Sequence, residues 1–182
     1  VSKPGLEQVA AATPGTKIYQ LYVRGDAASI EDSIRRAKGN GYDAFCLTVD
    51  TAIYSRRERD IVRRFAKPWR ATATGDAQRY QAALNWDDVK RIKDGHPDLK
   101  LILKGIMDAE DARLAADSGA DALVVSNHGG RQLDGAPSSI RALPATVDAV
   151  GQQIEVHMDG GIRSGQDVLK ARALGARGTY IG

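Results

Sequence analysis

The sequence predicts an α/β fold built on a parallel sheet, of the (β/α)8 or TIM-barrel type. The first observation is an alternation. Short apolar runs rich in β-branched residues, at 18–23, 44–50, 99–105, 122–127, 154–161 and 178–182, are separated by amphipathic stretches at 27–38, 86–93, 108–118, 138–150 and 164–174. The second is how three of those stretches end: Asn40-Gly41-Tyr42-Asp43-Ala44, Ser118-Gly119-Ala120-Asp121-Ala122 and Leu174-Gly175-Ala176-Arg177-Gly178. Glycine at a helix exit supplies the left-handed residue that lets the chain turn into the next strand. Strand, helix, glycine exit and strand, repeated without hairpins, means parallel strands joined by right-handed crossovers. The third observation separates a barrel from an open sheet. Polar residues close nearly every run: Tyr22, Thr48 and Asp50, Lys104, Ser126 to His128, and Asp159 to Gly161. In a barrel all of these ends meet on one face, whereas an open sheet gathers only those beside its switch point.

Taken in order, a helix-like stretch at 5–12 precedes the first strand, and six strands follow with five helical stretches between them, the last strand running to Gly182. Six strands in 182 residues fall short of the eight strands and roughly 250 residues of a full barrel. The expectation is therefore one partial barrel domain over residues 1–182. One segment breaks the alternation. Residues 65–85 show no clear periodicity, and a loop of that length in a compact domain reads either as a lid over the active face or as a surface excursion.

Composition narrows the function classes. The chain is 42% hydrophobic, 27% charged and 5% aromatic, as an ordinary globular chain with a sizeable core is. A single cysteine, Cys46, excludes a disulfide framework, and no apolar run approaches the ~20 residues of a membrane-spanning helix. The first residues lack the apolar core of a secretory signal, so the expected location is cytoplasmic. A net charge of +3 with dispersed basic residues argues against nucleic acid as partner. The densest basic cluster, Ser55-Arg56-Arg57-Glu58-Arg59-Asp60-Ile61-Val62-Arg63-Arg64, contains acids and reads first as a solvated helix face.

Four strings carry chemistry. Ser126-Asn127-His128-Gly129-Gly130-Arg131-Gln132-Leu133-Asp134 follows a strand, so His128 stands at the barrel mouth in a glycine turn, three residues before Arg131. A base beside a guanidinium can bind a carboxylate and remove a proton next to it. In Leu47-Thr48-Val49-Asp50-Thr51, alternation puts Thr48 and Asp50 on one face. Asp50 there either caps a helix or orients an imidazole and stabilises its protonated form. Lys104 closes the apolar run Leu101-Ile102-Leu103-Lys104-Gly105 and needs an anion, or must snorkel to water. Asp159-Gly160-Gly161-Ile162-Arg163, with Gly178-Thr179-Tyr180-Ile181-Gly182, forms glycine-rich turns of the kind that cradle phosphate with backbone N–H groups. His157 could also face inward and is read as structural. No residues are assigned to a metal.

Together with Gln20-Leu21-Tyr22-Val23 and Arg56-Arg57, these strings resemble the FMN-dependent α-hydroxy-acid oxidases and dehydrogenases, a family with glycolate oxidase, lactate oxidase and mandelate dehydrogenase among its members. The resemblance runs in order along the whole chain, from the third barrel strand to the eighth. It implies FMN as cofactor and oxidation of a small L-2-hydroxy acid to a 2-oxo acid. His128 is then the base, and Asp50 holds its imidazole. Arg57 and Arg131 clamp the substrate carboxylate, and Tyr22 contacts the substrate through its hydroxyl. Lys104 sits by the flavin N1–O2 edge, and Gln20, Thr48 and Ser126 touch the flavin ring. Asp159 meets the ribityl chain, while Gly161, Arg163 and Gly182 lie at the phosphate. The electron acceptor, whether oxygen, a quinone or a cytochrome, and the side chain of the hydroxy acid stay open. The resemblance is compatible with a homo-oligomer.

Two other readings compete. Another phosphate-binding barrel, such as an inosine-monophosphate dehydrogenase or a type 2 isopentenyl-diphosphate isomerase, would use Asp159-Gly160-Gly161-Ile162 but leave His128 and Arg131 unexplained. Cys46 lies within a strand, so it offers no loop thiol as nucleophile. From a different class, the chain could bind flavin, or assemble with a partner, without turnover.

Overall fold

The computed structural model describes residues 4–52, 57–65 and 75–182. Its strands are β1 (Ile18–Tyr22), β2 (Ala44–Thr48), β3 (Leu101–Ile106), β4 (Ala122–Val125), β5 (Glu155–Met158) and β6 (Gly178–Thr179), hydrogen-bonded in that order in one parallel sheet. Helices α1 (Leu6–Ala12), α2 (Ala27–Gly39), α3 (Glu58–Val62), α4 (Gly75–Ala83), α5 (Trp86–Gly95), α6 (Ala109–Asp117), α7 (Ser139–Val150) and α8 (Gly165–Ala173) precede and connect them. Sequential order without a reversal is barrel order rather than that of a doubly wound sheet. The sheet curls: Ile18 and Gln20 of β1 share one cleft with Tyr180 to Gly182, at and beyond the far edge. The result is a partial (β/α)8 barrel of six strands.

Alternation along the strands divides the apolar residues between two faces. Outward-facing Phe45, Leu47, Leu101, Leu103, Leu123, Val125, Val156 and Met158 pack with Ile30 and Ile34 of α2, Val89 and Ile92 of α5, Ala112 and Ala115 of α6, and Leu143 of α7 in the main core. Phe45, Leu47, Leu101, Leu103, Leu123 and Leu143 are fully buried, and each contributes about 1.5–3 kcal/mol of transfer free energy. The inward face carries a smaller cluster of Cys46, Ile102, Ala122 and Val124, with Tyr180 against it. Above that cluster, toward the strand C-termini, the inward positions turn polar.

The expected helix boundaries agree with the caps. Asp26, Asn85, Asp108 and Ser164 accept backbone N–H bonds at the starts of α2, α5, α6 and α8, which satisfies donors that have no partner within the helix. The glycine exits Gly41, Gly119 and Gly175 all have positive φ, at 67°, 86° and 99°. One expectation needs correction. Within 65–85, read as an aperiodic loop, residues Gly75–Ala83 form helix α4. Its sequence, GDAQRYQAA, carries no apolar stripe at helical spacing, so periodicity gave no signal. Residues 66–74 of that segment lie outside the described residues, as does Arg56. Among the described residues, no helix is long and apolar enough to cross a membrane.

At the opposite end from the polar strand termini, Asp121 ties three elements together. Its carboxylate accepts from Lys93 Nζ of α5 at 2.7 Å and from the Leu101 N–H at 2.9 Å, and Lys93 also donates to the Leu99 carbonyl at 2.7 Å. Burial pushes this carboxyl up, but the Lys93 and Leu101 hydrogen bonds and the charges of Lys93 and Lys100 outweigh it and hold it below its ordinary value. A depressed folded-state pKa adds stability above the unfolded value of about 3.9, which is lost as the pH falls through the folded value. Asp121→Asn is therefore expected to cost about 1.5–3 kcal/mol near neutrality. Urea unfolding of parent and variant should show that gap closing in acid.

Candidate active site

The polar strand ends converge. The turn after β4 begins with Ser126, which is fully buried and accepts from the His128 N–H at 3.1 Å. His128, Gly129 and Gly130 then take left-handed φ values of 58°, 66° and 68°, a run that a bulky sequence could not follow. Asn127 closes the turn, accepting from the Gly130 N–H at 3.2 Å and donating to the Pro137 carbonyl at 3.1 Å. A positive φ at a histidine is strained, and strain of this kind collects where function fixes the backbone. Here it turns the imidazole back over the sheet.

Both Asp50 oxygens lie close to His128 Nδ1, at 2.9 and 3.1 Å. A carboxylate only accepts, so Nδ1 carries the proton and Nε2 of the neutral ring presents its lone pair. On that side the Tyr22 hydroxyl lies 3.4 Å away. Side chains of His128 and Asp50 are 16% and 13% exposed, so the pair interacts in a weakly screened environment. Among the described residues, Asp50 caps no helix.

Gly105 makes room for this arrangement. It sits in a β-bulge of β3, with φ of 113°, and a Cβ there would lie 2.5 Å from Asp50 Cβ and 2.6 Å from its Cγ. The glycine lets the Asp50 side chain pass across the neighbouring strand. Its role could not be read from the sequence, where it is simply the residue after Lys104.

Lys104 Nζ donates to Ser126 Oγ at 2.9 Å and pairs with Asp159 Oδ2 at 3.1 Å. The anion that the sequence required for this lysine is thus present within the chain. Gln20 Nε2 donates to Thr48 Oγ1 at 2.8 Å. A cleft of about 600 Å³ opens along this inner wall, lined by Gln20, Tyr22, Lys104, His128, Asp159, Gly161, Arg163 and Gly182 among others. Thr48 and Ser126 are buried behind it. Arg131 is exposed at the rim, and the Arg57 guanidinium comes within 3.5 Å of its carbonyl oxygen. The two arginines are therefore neighbours above the cleft rather than in its wall.

Neither Tyr180 nor Cys46 was read as part of the site, yet both line the cleft. Strand alternation would have found both, since Cys46 is two residues before Thr48 and Tyr180 follows Gly178 by two. Burial pushes the Cys46 thiol up to about 12 and the Tyr180 phenol to about 12, so both stay protonated near neutrality. A thiol so held is no nucleophile. His157 faces inward, its ring nitrogens 2.9 Å from the Tyr180 hydroxyl and 3.0 Å from Glu155 Oε2, as a structural histidine would. Among the described residues no group of three or more His, Cys, Asp or Glu could hold a metal ion.

Two features of the cleft test whether it suits a phosphate-bearing, hydroxyl-rich cofactor. Asp159 Oδ1 is buried without a hydrogen-bond partner among the described residues, which suits a hydroxyl donor reaching it from the cleft. At Gly161, with φ of 79°, a Cβ would meet nothing within 4 Å, so the backbone there is open to a ligand. Asp167 already accepts the N–H groups of Arg163 and Ser164, at 3.1 and 3.0 Å. The Gly160–Gly161 turn and the Arg163 side chain are left as the phosphate-suited side of the cleft. The residues fit FMN.

The chain is similar to known proteins along its whole length. The family described as FMN-dependent dehydrogenase matches residues 1–182. Glycolate oxidase 1 of Oryza sativa subsp. indica is 42% identical over 197 aligned residues, which cover 97% of this chain and 53% of that protein. L-lactate oxidase of Nostoc sp. is 40% identical over 207 residues, covering 100% of this chain and 56% of that one. A crystal structure of mandelate oxidase superposes with a TM-score of 0.89 at 45% identity, covering 100% of this chain and 54% of its own. The chain spans about half the length of the relatives it matches.

Proposed function

From the premise that this chain belongs to the FMN-dependent dehydrogenase family, we propose that it carries the catalytic half of a site oxidising a small L-2-hydroxy acid to its 2-oxo acid. One observation carries the reading: His128 Nδ1 is held by both Asp50 oxygens, so Nε2 is directed toward the Tyr22 hydroxyl at the cleft. Oxidation of a 2-hydroxy acid releases two electrons and two protons. FMN, when bound, would accept the two electrons together with one of the two protons. His128 Nε2 takes a proton as the substrate α-carbon is oxidised, and Asp50 stabilises the imidazolium that results. Arg57 and Arg131 bind the carboxylate, and the Tyr22 hydroxyl orients the substrate. Lys104 and Gln20 would hold the flavin ring edge, supported by Ser126 and Thr48 through their hydrogen bonds. Asp159 would receive a ribityl hydroxyl, and Gly161, Arg163 and Gly182 would hold the phosphate. The buried, unreactive Cys46 speaks against a barrel that uses a thiol nucleophile.

The test is a flavin spectrum of the purified protein followed by anaerobic addition of glycolate, lactate and mandelate. Bleaching by one of them supports the reading. Bound flavin that none of them bleaches would favour a chain that holds the cofactor without turnover. The clamp makes a separate expectation. Arg131→Lys keeps the charge but loses the planar fork that meets a carboxylate at two points. Losing one charge-assisted hydrogen bond, worth about 1.5–3 kcal/mol, should raise KM roughly 10–100-fold with a smaller effect on kcat. Unchanged steady-state kinetics for the variant would remove Arg131 from the site.

A further inference from the structure

We propose that Gln81 of α4 and Thr51 form a clasp that positions the Asp50–His128 pair, so that a helix outside the strand–helix repeat sets the orientation of the base. This rests on the reading of His128 as base. The starting observation is a buried polar contact. Gln81 is 8% exposed and Thr51 is 5% exposed, and Gln81 Nε2 donates to Thr51 Oγ1. A glutamine is costly to bury, and here its amide goes to the residue next to Asp50. Helix α4 is itself anchored on α5, since the Tyr80 hydroxyl meets Asp88 Oδ1 at 3.3 Å and accepts from Arg91 at 3.1 Å. Successive residues of α4 thus grip two different neighbours: Tyr80 holds the supporting helix, and Gln81 holds the chain as it leaves β2.

Asp50 lies beyond the last residue of β2, past the region where ladder hydrogen bonds fix the backbone on both sides. Its side chain crosses Gly105, which limits it on the β3 side without holding it. Among the described residues, a further constraint comes from the next residue, Thr51, which Gln81 holds through its amide. Both Asp50 oxygens lie within 3.1 Å of one imidazole nitrogen, so a small backbone rotation at residue 51 would swing one of them away. The clasp acts through Asp50 on His128. Gln81 and Thr51 are positioning residues and touch neither substrate nor cofactor.

The tautomer of His128 reads this directly. The chain labelled with 15N-histidine is recorded by long-range 1H–15N correlation at about pH 9, where histidines of ordinary pKa are neutral. The parent should show His128 in the Nδ1–H form. Gln81→Met and Thr51→Val, each close in shape to the residue replaced, should move the Nδ1–H to Nε2–H ratio several-fold, by up to about tenfold, toward Nε2–H. Thr51→Ser keeps the hydroxyl and should retain the parent ratio. His96 and His157, the other two histidines, report on the fold and should stay unchanged. If Gln81→Met unfolds, which all three histidines would register, Thr51→Val decides. Folded variants with the parent's His128 tautomer overturn the clasp. A parent that lacks the Nδ1–H form would instead overturn the reading of His128 as base, a result visible before any variant is made.

Discussion

His128→Gln is expected to slow bleaching of bound flavin by a good 2-hydroxy acid about 10²–10⁴-fold, the usual contribution of a general base, while leaving FMN affinity near that of the parent. Glutamine retains hydrogen-bonding capacity at a similar reach but cannot accept and hold a proton. The separation of the two effects follows from the cleft. His128 stands at its mouth beside Tyr22, whereas the residues suited to the cofactor's polar chain and phosphate, Asp159, Gly161 and Arg163, belong to the turn after β5. Stopped-flow reduction and a flavin titration of the same variant check both halves. Reduction at the parent rate would exclude His128 as the base.

Gly105→Ala is expected to reduce both stability and turnover, although residue 105 need never touch substrate. Its φ of 113° disfavours any side chain, at about 1–3 kcal/mol. The added Cβ would also fall 2.5 Å from Asp50 Cβ, and relieving such an overlap typically costs another 1–3 kcal/mol. A total of about 2–6 kcal/mol is a large share of the roughly 5–15 kcal/mol that holds a domain folded. The Tm should fall by roughly 4–24 °C. The cheapest relief is movement of Asp50 away from β3, which breaks its contact with His128. Turnover measured well below the lowered Tm should therefore fall by more than the loss of folded protein explains. Thermal melts with kinetics at two temperatures distinguish the effects. A variant that loses stability but keeps the parent kcat would show that Asp50 is held elsewhere.

These two positions mark what each level of description could reveal. His128 was legible because a glycine turn after a β-branched run states both its place and its surroundings in adjacent residues. Asp50 and Lys104 were legible for a related reason: parallel strands put every C-terminal end on one face, so a polar residue closing an apolar run is already located. Strand order, glycine exits and helix caps are likewise local or periodic, and the structure follows them closely.

Contacts between elements distant in sequence left no such mark. Lys104 called for an anion, yet only the sheet register showed that Asp159 supplies it, two strands away. Helix α4 carries no apolar stripe, and among the described residues it meets the strand end through Gln81, which bonds a threonine 30 residues earlier. Gly105 looked like an ordinary strand end until Asp50 was found lying across it. The sequence by itself determined the fold class and the chemical inventory of the site, because hydrophobic period and strand polarity are written along the chain. Only the tertiary structure decided which carboxylate faces which base and what holds it there. Those facts depend on the lateral packing of neighbouring strands and helices, as where a Cβ at Gly105 would overlap the Asp50 side chain that reaches His128.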